Sequence, residues 1–378
     1  MNKVDSNLEL LEIEKKSGLA VCNSMPIIMW LESTSRCNLK CTTCPRTYLP
    51  FFKGKDLEDE VMRIVKAEMF PYLRFLNLHD FGEPMLAKNL EYLFDEAVEN
   101  NINISLSTNG MLLKEKWIRK FLEHGIRFWI SLDGAREETF QKIRRGANLQ
   151  EVIEGIRLFN RLKEAEYKGS GSSISLVFVA LKSNISELPG LVSFAKELNI
   201  ASLKVQHFNF SIQDLSMRRE SLRYDKQLAN HYFMLAKKKA DELGLNLEVS
   251  LYEERAKKEP RGTGYRFPMR CFAPWEKIVI RANGDVAPCC GSGEIMGNIK
   301  KTGFRHLWNS GKYKKLRRSI NTNFPPLDCR NCVQANGINA GNPENTTCSE
   351  PLGYRLGIFF EHKFKLARYG YQYLKYYL

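Results

Sequence analysis

Three cysteines, Cys37, Cys41 and Cys44, stand in one short run, Cys37-Asn-Leu-Lys-Cys41-Thr-Thr-Cys44-Pro-Arg. Three thiolates at this CxxxCxxC spacing suit a four-iron cluster whose fourth iron keeps an open coordination site. An open iron can take a small chelating molecule and deliver one electron to it. Zinc is the other metal for such thiols, but structural zinc asks for four protein ligands and a second paired half at finger spacing. A second group lies towards the carboxyl end, where Cys271, Cys289 and the pair Cys329 and Cys332 supply four thiols. Four thiolates from separated segments can close a second iron–sulfur cluster, with a zinc ribbon-like site as the alternative. Cys22 stands outside both groups and reads as a simple buried thiol.

The elements that must position these residues follow from the apolar pattern. Strands are expected over 27–32, just before the cysteine loop, over 75–79, running into Phe81-Gly82-Glu83-Pro84, over 104–108, ending in Asn109-Gly110, and over 128–132, ending in Asp133-Gly134. A helix over 151–165, a strand over 174–179, a helix over 186–198 and a strand over 202–207 continue the alternation. Six strand–helix units imply a mostly parallel sheet, which right-handed crossovers curl into an open barrel. Barrel active sites lie at the carboxyl ends of the strands. Gln206 and His207 are therefore expected at the barrel mouth.

The cysteine triplet together with these strand ends resembles the radical SAM superfamily. The resemblance implies an α/β fold, a partial (β/α)6 TIM-like barrel, in which a [4Fe–4S] cluster on Cys37, Cys41 and Cys44 binds S-adenosylmethionine and cleaves it to a 5′-deoxyadenosyl radical. Phe81-Gly82-Glu83-Pro84 is similar to the family's GGEP motif, with Phe81 in place of the first glycine. By that likeness the backbone of Phe81 and Gly82 holds the methionine amino group and Glu83 fixes the turn. The segments at 107–110 and 131–134 are similar to the family's STNG and SLDG segments, which implies that Ser107, Asn109, Ser131 and Asp133 line the ribose and carboxylate of the cofactor. Arg144, eleven residues after Asp133, falls where related enzymes place an arginine on that carboxylate, with Arg145 as the neighbouring alternative. A planar guanidinium suits a carboxylate bidentately.

Beyond a helix over 227–243 and a polar run over 253–264, strands at 277–280 and 286–288 flank Ala282-Asn283-Gly284-Asp285, and Asn-Gly is a strong hairpin signal. With Met296-Gly297-Asn298-Ile299, a helix over 304–320 and Cys329-Arg330-Asn331-Cys332, this region resembles the SPASM/Twitch extension of radical SAM enzymes. It implies one auxiliary [4Fe–4S] cluster on Cys271, Cys289, Cys329 and Cys332, with Cys348 able to replace a ligand or cap an open site. Cys290 occupies a position that in sulfatase-maturing relatives holds an aspartate base; a cysteine there implies a hydrogen-atom donor, or else a buried thiol.

A nearby auxiliary cluster can take the second electron of an oxidation. The expectation is therefore a radical SAM oxidoreductase that dehydrogenates a small metabolite such as a sugar or aminoglycoside-type alcohol. A radical epimerase using Cys290 and a ribosomal-peptide maturase are the alternatives within the class. A non-catalytic metal-binding protein that binds nucleic acid is the alternative outside it.

Composition sets the frame. A chain of 378 residues with 43% hydrophobic content exceeds one core, and the expected organisation is an extension over 1–26, the barrel over 27–255, the auxiliary domain over 256–350 and a basic aromatic helix over 351–378. No run of about 18 apolar residues and no secretion signal is seen, and ten cysteines at metal-ligand spacings fit a reducing compartment, so a cytoplasmic protein is expected. The net charge of +14 is dispersed, which suits an anionic substrate or an acidic flavodoxin- or ferredoxin-type electron donor better than nucleic acid. The tail interleaves tyrosines with Lys and Arg and is a candidate for peripheral membrane contact.

Overall fold

The computed structural model of the chain describes residues 3–48, 54–208, 215–252 and 270–326, together with Cys329 and Cys332. The polar run at 253–264, Cys348 and the tail lie outside the described residues. Ten strands, β1 (Ile28–Leu31), β2 (Phe75–Asn77), β3 (Asn103–Thr108), β4 (Arg127–Ser131), β5 (Ser173–Ala180), β6 (Ser202–His207), β7 (Asn246–Glu248), β8 (Lys277–Ile280), β9 (Asp285–Ala287) and β10 (Gly297–Asn298), join in one sheet. Their order is β10-β9-β8-β1-β2-β3-β4-β5-β6-β7. The pairings from β1 to β7 are all parallel, as expected of strands joined by helical crossovers, and the sheet is an open partial barrel.

Alternation along each strand separates two environments. In β3, Ile104, Leu106 and Thr108 are buried while Ser105 and Ser107 are half-buried. The apolar set packs under the helices Leu90–Glu99, Glu115–Glu123 and Leu149–Glu166. Phe94, Phe121, Phe128 and Phe159 form a continuous aromatic run there, with successive ring centroids 6.0, 5.0 and 5.6 Å apart. The polar set points the other way, into the barrel.

Three features depart from the expected layout. The carboxyl-terminal hairpin is not a sheet of its own: β8 pairs in parallel with β1, from Ile28↔Lys277 to Leu31↔Ile280, and β9 and β10 follow antiparallel. A further parallel strand, β7, follows the sixth; Asn246 and Glu248 in this three-residue segment hide any apolar signal. The helix expected over 304–320 is two, Phe304–Trp308 and Gly311–Ser319, because the Ser310 side chain caps the second by accepting from Tyr313 N–H.

The amino-terminal residues form a helix, Lys3–Ser17, that reaches the carboxyl-terminal region. Its buried Glu14 carboxylate accepts from Asn23 N–H (2.7 Å), Ser24 N–H (3.2 Å) and Ser24 Oγ (2.5 Å). The loop so fixed takes Trp308 Nε1–H on the Ser24 carbonyl at 3.0 Å, and Asn309 bonds Cys22 through both its backbone groups. Replacing Glu14 by Ala leaves the two buried Ser24 donors, and the Asn23 N–H, without this acceptor. Glu14→Ala is expected to cost about 1–3 kcal/mol in urea unfolding, and an unchanged midpoint would show that this strap contributes nothing.

Candidate active site

The loop that follows β1 is buried from Glu32 to Ser35 and then presents Cys37, Cys41 and Cys44. Backbone pairing pins it to the α/β unit across the barrel: Lys40 N–H bonds the Arg145 carbonyl at 2.9 Å and Thr42 N–H the Ile143 carbonyl at 2.8 Å. Arg46 closes the loop from within, its guanidinium donating to the carbonyls of Ser35, Cys37 and Leu39. Burial pushes the Cys41 thiol up to about 11 and raises Cys37 and Cys44 as well; the Arg144 guanidinium opposes this at Cys41, and Arg46 at the other two. Three free thiols in one loop, desolvated and in each other's field, are a donor set that a cationic iron centre would satisfy by displacing the protons. Among the described residues, no three His, Cys, Asp or Glu side chains converge on a point where a single ion would sit. A cubane asks something different, one thiolate on each of three irons.

Beside the triplet, Glu83 is buried and acts on backbone. Its carboxylate accepts from Met85 N–H (3.2 Å), Thr108 Oγ1 (2.7 Å) and Asn109 N–H (2.8 Å), which ties the Phe81–Pro84 turn to the end of β3. Gly82 has φ +85°, and a Cβ there would lie 2.4 Å from the Thr34 carbonyl oxygen, so only glycine lets the turn touch the cysteine loop. Asn109 reaches the same loop through Asn38 Oδ1 at 2.8 Å. The half-buried Ser107 donates its backbone N–H to His79 Nδ1 at 3.2 Å, and Ser131 ends β4 on the barrel side.

Asp133 and Arg144 are brought together, but onto each other. Asp133 is fully buried; one oxygen accepts from Val179 N–H at 2.8 Å and the other lies 2.8 Å from Arg144 Nη2. Asp133, expected on the cofactor, here faces Arg144 and holds its guanidinium in place. The guanidinium sits in the field of Cys41 and Cys44, and its Nε is buried without a hydrogen-bond partner, while Arg145 points to solvent. Of the two arginines, Arg144 is the one buried beside the thiols.

The second thiol set converges from three segments. Cys271, Cys289 and Cys332 lie within one another's fields, and a Cβ on Gly291 would be 3.7 Å from Cys332 Sγ. Cys329 packs on the main core, and its carbonyl accepts Cys332 N–H at 3.2 Å. Asn321 holds Cys271 by its N–H and its carbonyl, both at 2.9 Å. Burial pushes Cys289 up to about 12. Cys290, next to it, is exposed, with Asp80 and Lys277 as charged neighbours.

Two residues here escaped the sequence. His79 is held near 4 by burial, hence neutral, and since Nδ1 accepts from Ser107 its proton is on Nε2. Asp80 lies 3.8 Å from Arg281 Nε at the hairpin turn; their positions, directly after β2 and β8, were the available signal. His207, by contrast, is not at the mouth. It turns to the helix side, with Nε2 on the Ser250 carbonyl at 3.0 Å and its ring 4.4 Å from that of Tyr252, while Gln206 takes the opposite face. Neighbours on a strand cannot share a face.

Comparison with known proteins agrees with this geometry. Residues 31–195 match the model of the radical SAM superfamily, and residues 271–333 that of an iron–sulfur cluster-binding domain, SPASM. The AdoMet-dependent heme synthase of Methanosarcina barkeri is 25% identical over 79% of this chain and 86% of its own length. A probable GTP 3',8-cyclase of Methanococcus maripaludis is 30% identical over 47% of this chain, which spans 57% of that relative. Among solved structures, native anSMEcpe with bound AdoMet and the Cp18Cys peptide superposes with a TM-score of 0.60 at 19% identity, covering 92% of this chain and 99% of that one. Among the described residues no helix is long and apolar enough to cross a membrane.

Asp133→Asn keeps a group for Val179 but strips Arg144 of its counter-charge, and is expected to cost about 3–5 kcal/mol in urea unfolding; a cost within error of zero would contradict the positioning role. His207, held near 4, stays neutral where the unfolded chain, near 6.5, takes a proton. Stability should accordingly fall as pH drops from 7.5 to 5.5, by about 1 kcal/mol from this group. His207→Gln should remove that share of the pH dependence, and equal slopes for both proteins would refute it.

Proposed function

The chain is a radical SAM protein with a carboxyl-terminal SPASM iron–sulfur domain, and from that premise we propose that it is an oxidoreductase that takes a hydrogen atom from a saturated carbon of a polar substrate and completes a two-electron oxidation. When bound, the [4Fe–4S] cluster and S-adenosylmethionine supply a 5′-deoxyadenosyl radical, and an auxiliary [4Fe–4S] cluster supplies a one-electron acceptor. The observation that carries the reading is the convergence of a second, separate thiol set on the edge of the same sheet.

In this reading Cys37, Cys41 and Cys44 hold the first cluster, and Cys271, Cys289, Cys329 and Cys332 the second. The backbone of Phe81 and Gly82 receives the methionine amino group, with Glu83 bracing the turn. Arg144, aligned by Asp133, takes the carboxylate through its unbonded Nε. Ser107, Asn109, Ser131 and Asp133 line the remaining cofactor contacts. The barrel-facing Asn77, Ser105 and His79, the first two hydrogen-bonded to each other, make a polar wall for the substrate. The names of the relatives refer to heme synthesis, a GTP cyclisation and a bound peptide, and none supports the narrower expectation of a sugar or aminoglycoside alcohol. A small molecule or a peptide is the substrate class kept here. An acidic flavodoxin- or ferredoxin-type donor suits the net charge of +14, and the cytoplasm suits ten cysteines at metal-ligand spacings.

Epimerisation, with Cys290 returning the hydrogen atom, is the second reading; the place of that residue beside the ligand-bearing Cys289 favours it. Anaerobic reconstitution tests the main one. The intact protein is expected to take up about eight irons and form 5′-deoxyadenosine. Replacing Cys271 and Cys289 by Ala should leave about four irons and keep 5′-deoxyadenosine formation, whereas replacing the loop triplet should abolish it. An iron content unmoved by the first change would sink the auxiliary-cluster assignment.

A further inference from the structure

Behind the second thiol set runs the helix Gly311–Ser319. One end of it is tied to Cys271 through Asn321, and near the other Lys312 Nζ donates to the Ile295 carbonyl at 2.5 Å. Tyr313 stands between these ties, with 0% of its surface exposed. Its ring is held by two neighbours: the Trp308 centroid is 4.8 Å away and the Arg317 guanidinium lies 5.2 Å from the ring. Arg317 is itself immobilised by the carbonyls of Pro274, Ala20 and Trp308. Such a cage needs only an aromatic ring.

The phenol oxygen is nevertheless present, buried, and without a hydrogen-bond partner. Buried hydroxyls are nearly always bonded, and an orphan points to a partner that protein atoms do not supply. Among the described residues, Cys289 is the thiol whose charge bears on this phenol. We propose that Tyr313 is the outer hydrogen-bond donor to the auxiliary iron–sulfur cluster, through its otherwise unbonded O–H. Donation to cluster sulfur favours the more negative, reduced state and raises the reduction potential, which makes the cluster a better acceptor. The inference rests on the two-cluster reading above and adds a residue that sets how readily the second cluster is reduced.

The test is an EPR-monitored redox titration of the reconstituted full-length protein and its Tyr313→Phe variant, with iron counted in both. At equal iron content, the variant's auxiliary cluster should be about tenfold harder to reduce, a negative shift of about 59 mV for one electron, while the first cluster keeps its midpoint. Equal auxiliary midpoints would overturn the proposal and leave the two-cluster reading intact. A wild-type protein with one cluster would overturn both. Should Tyr313→Phe lose iron, a ring-fluorinated tyrosine introduced at 313 keeps the shape and strengthens the donor; a positive shift supports the assignment and no shift refutes it.

Discussion

Everything in this molecule that bears on chemistry depends on the parallel pairing of β1 with β8. β1 carries the cysteine triplet on the loop at its carboxyl end. Its edge, from Ile28 to Leu31, takes up a strand from the far end of the chain. The buried Glu32 completes the join by accepting Ala282 N–H at 2.9 Å. A hairpin attached in this way shares the frame of the barrel, and Cys289, two residues after β9, is carried on it.

Around that frame, buried charges are spent on orientation. Glu83 uses its carboxylate on two backbone amides and a hydroxyl. Asp133 serves Val179 and Arg144, and Glu14 serves the loop that docks on Trp308. Each carboxylate is placed where a missing partner would strand buried donors or a cation, and such losses are far costlier than the net value of the bonds formed. The region beside the thiols is thereby made stiff, as a site that must handle a reactive radical requires. Arg144 keeps its Nε uncommitted at the centre of this network.

Much of this was legible in the sequence because it is local. Ligand spacing at 37, 41 and 44, apolar strands ending in Asn109-Gly110 and Asp133-Gly134, and the Asn283-Gly284 turn are each set by residues a few positions apart. Ser310, a capping residue, marked the helix break, and the period of two placed Gln206 and His207 on opposite faces; both signals were present and outweighed by simpler patterns. What stayed hidden depends on distant partners. Nothing in Lys277–Ile280 says which strand edge it joins. Nor does a resemblance reveal that Asp133 is closed off by Arg144, or that Tyr313 is caged with its hydroxyl unbonded.

In the proposed arrangement one frame holds two distinct clusters, only the first of which has an open iron. The direct measurement is Mössbauer and EPR spectroscopy of the reduced, reconstituted protein with and without S-adenosylmethionine. Two cluster signals are predicted, one perturbed by the addition and the other unchanged. A single signal, or two that respond alike, would contradict the account.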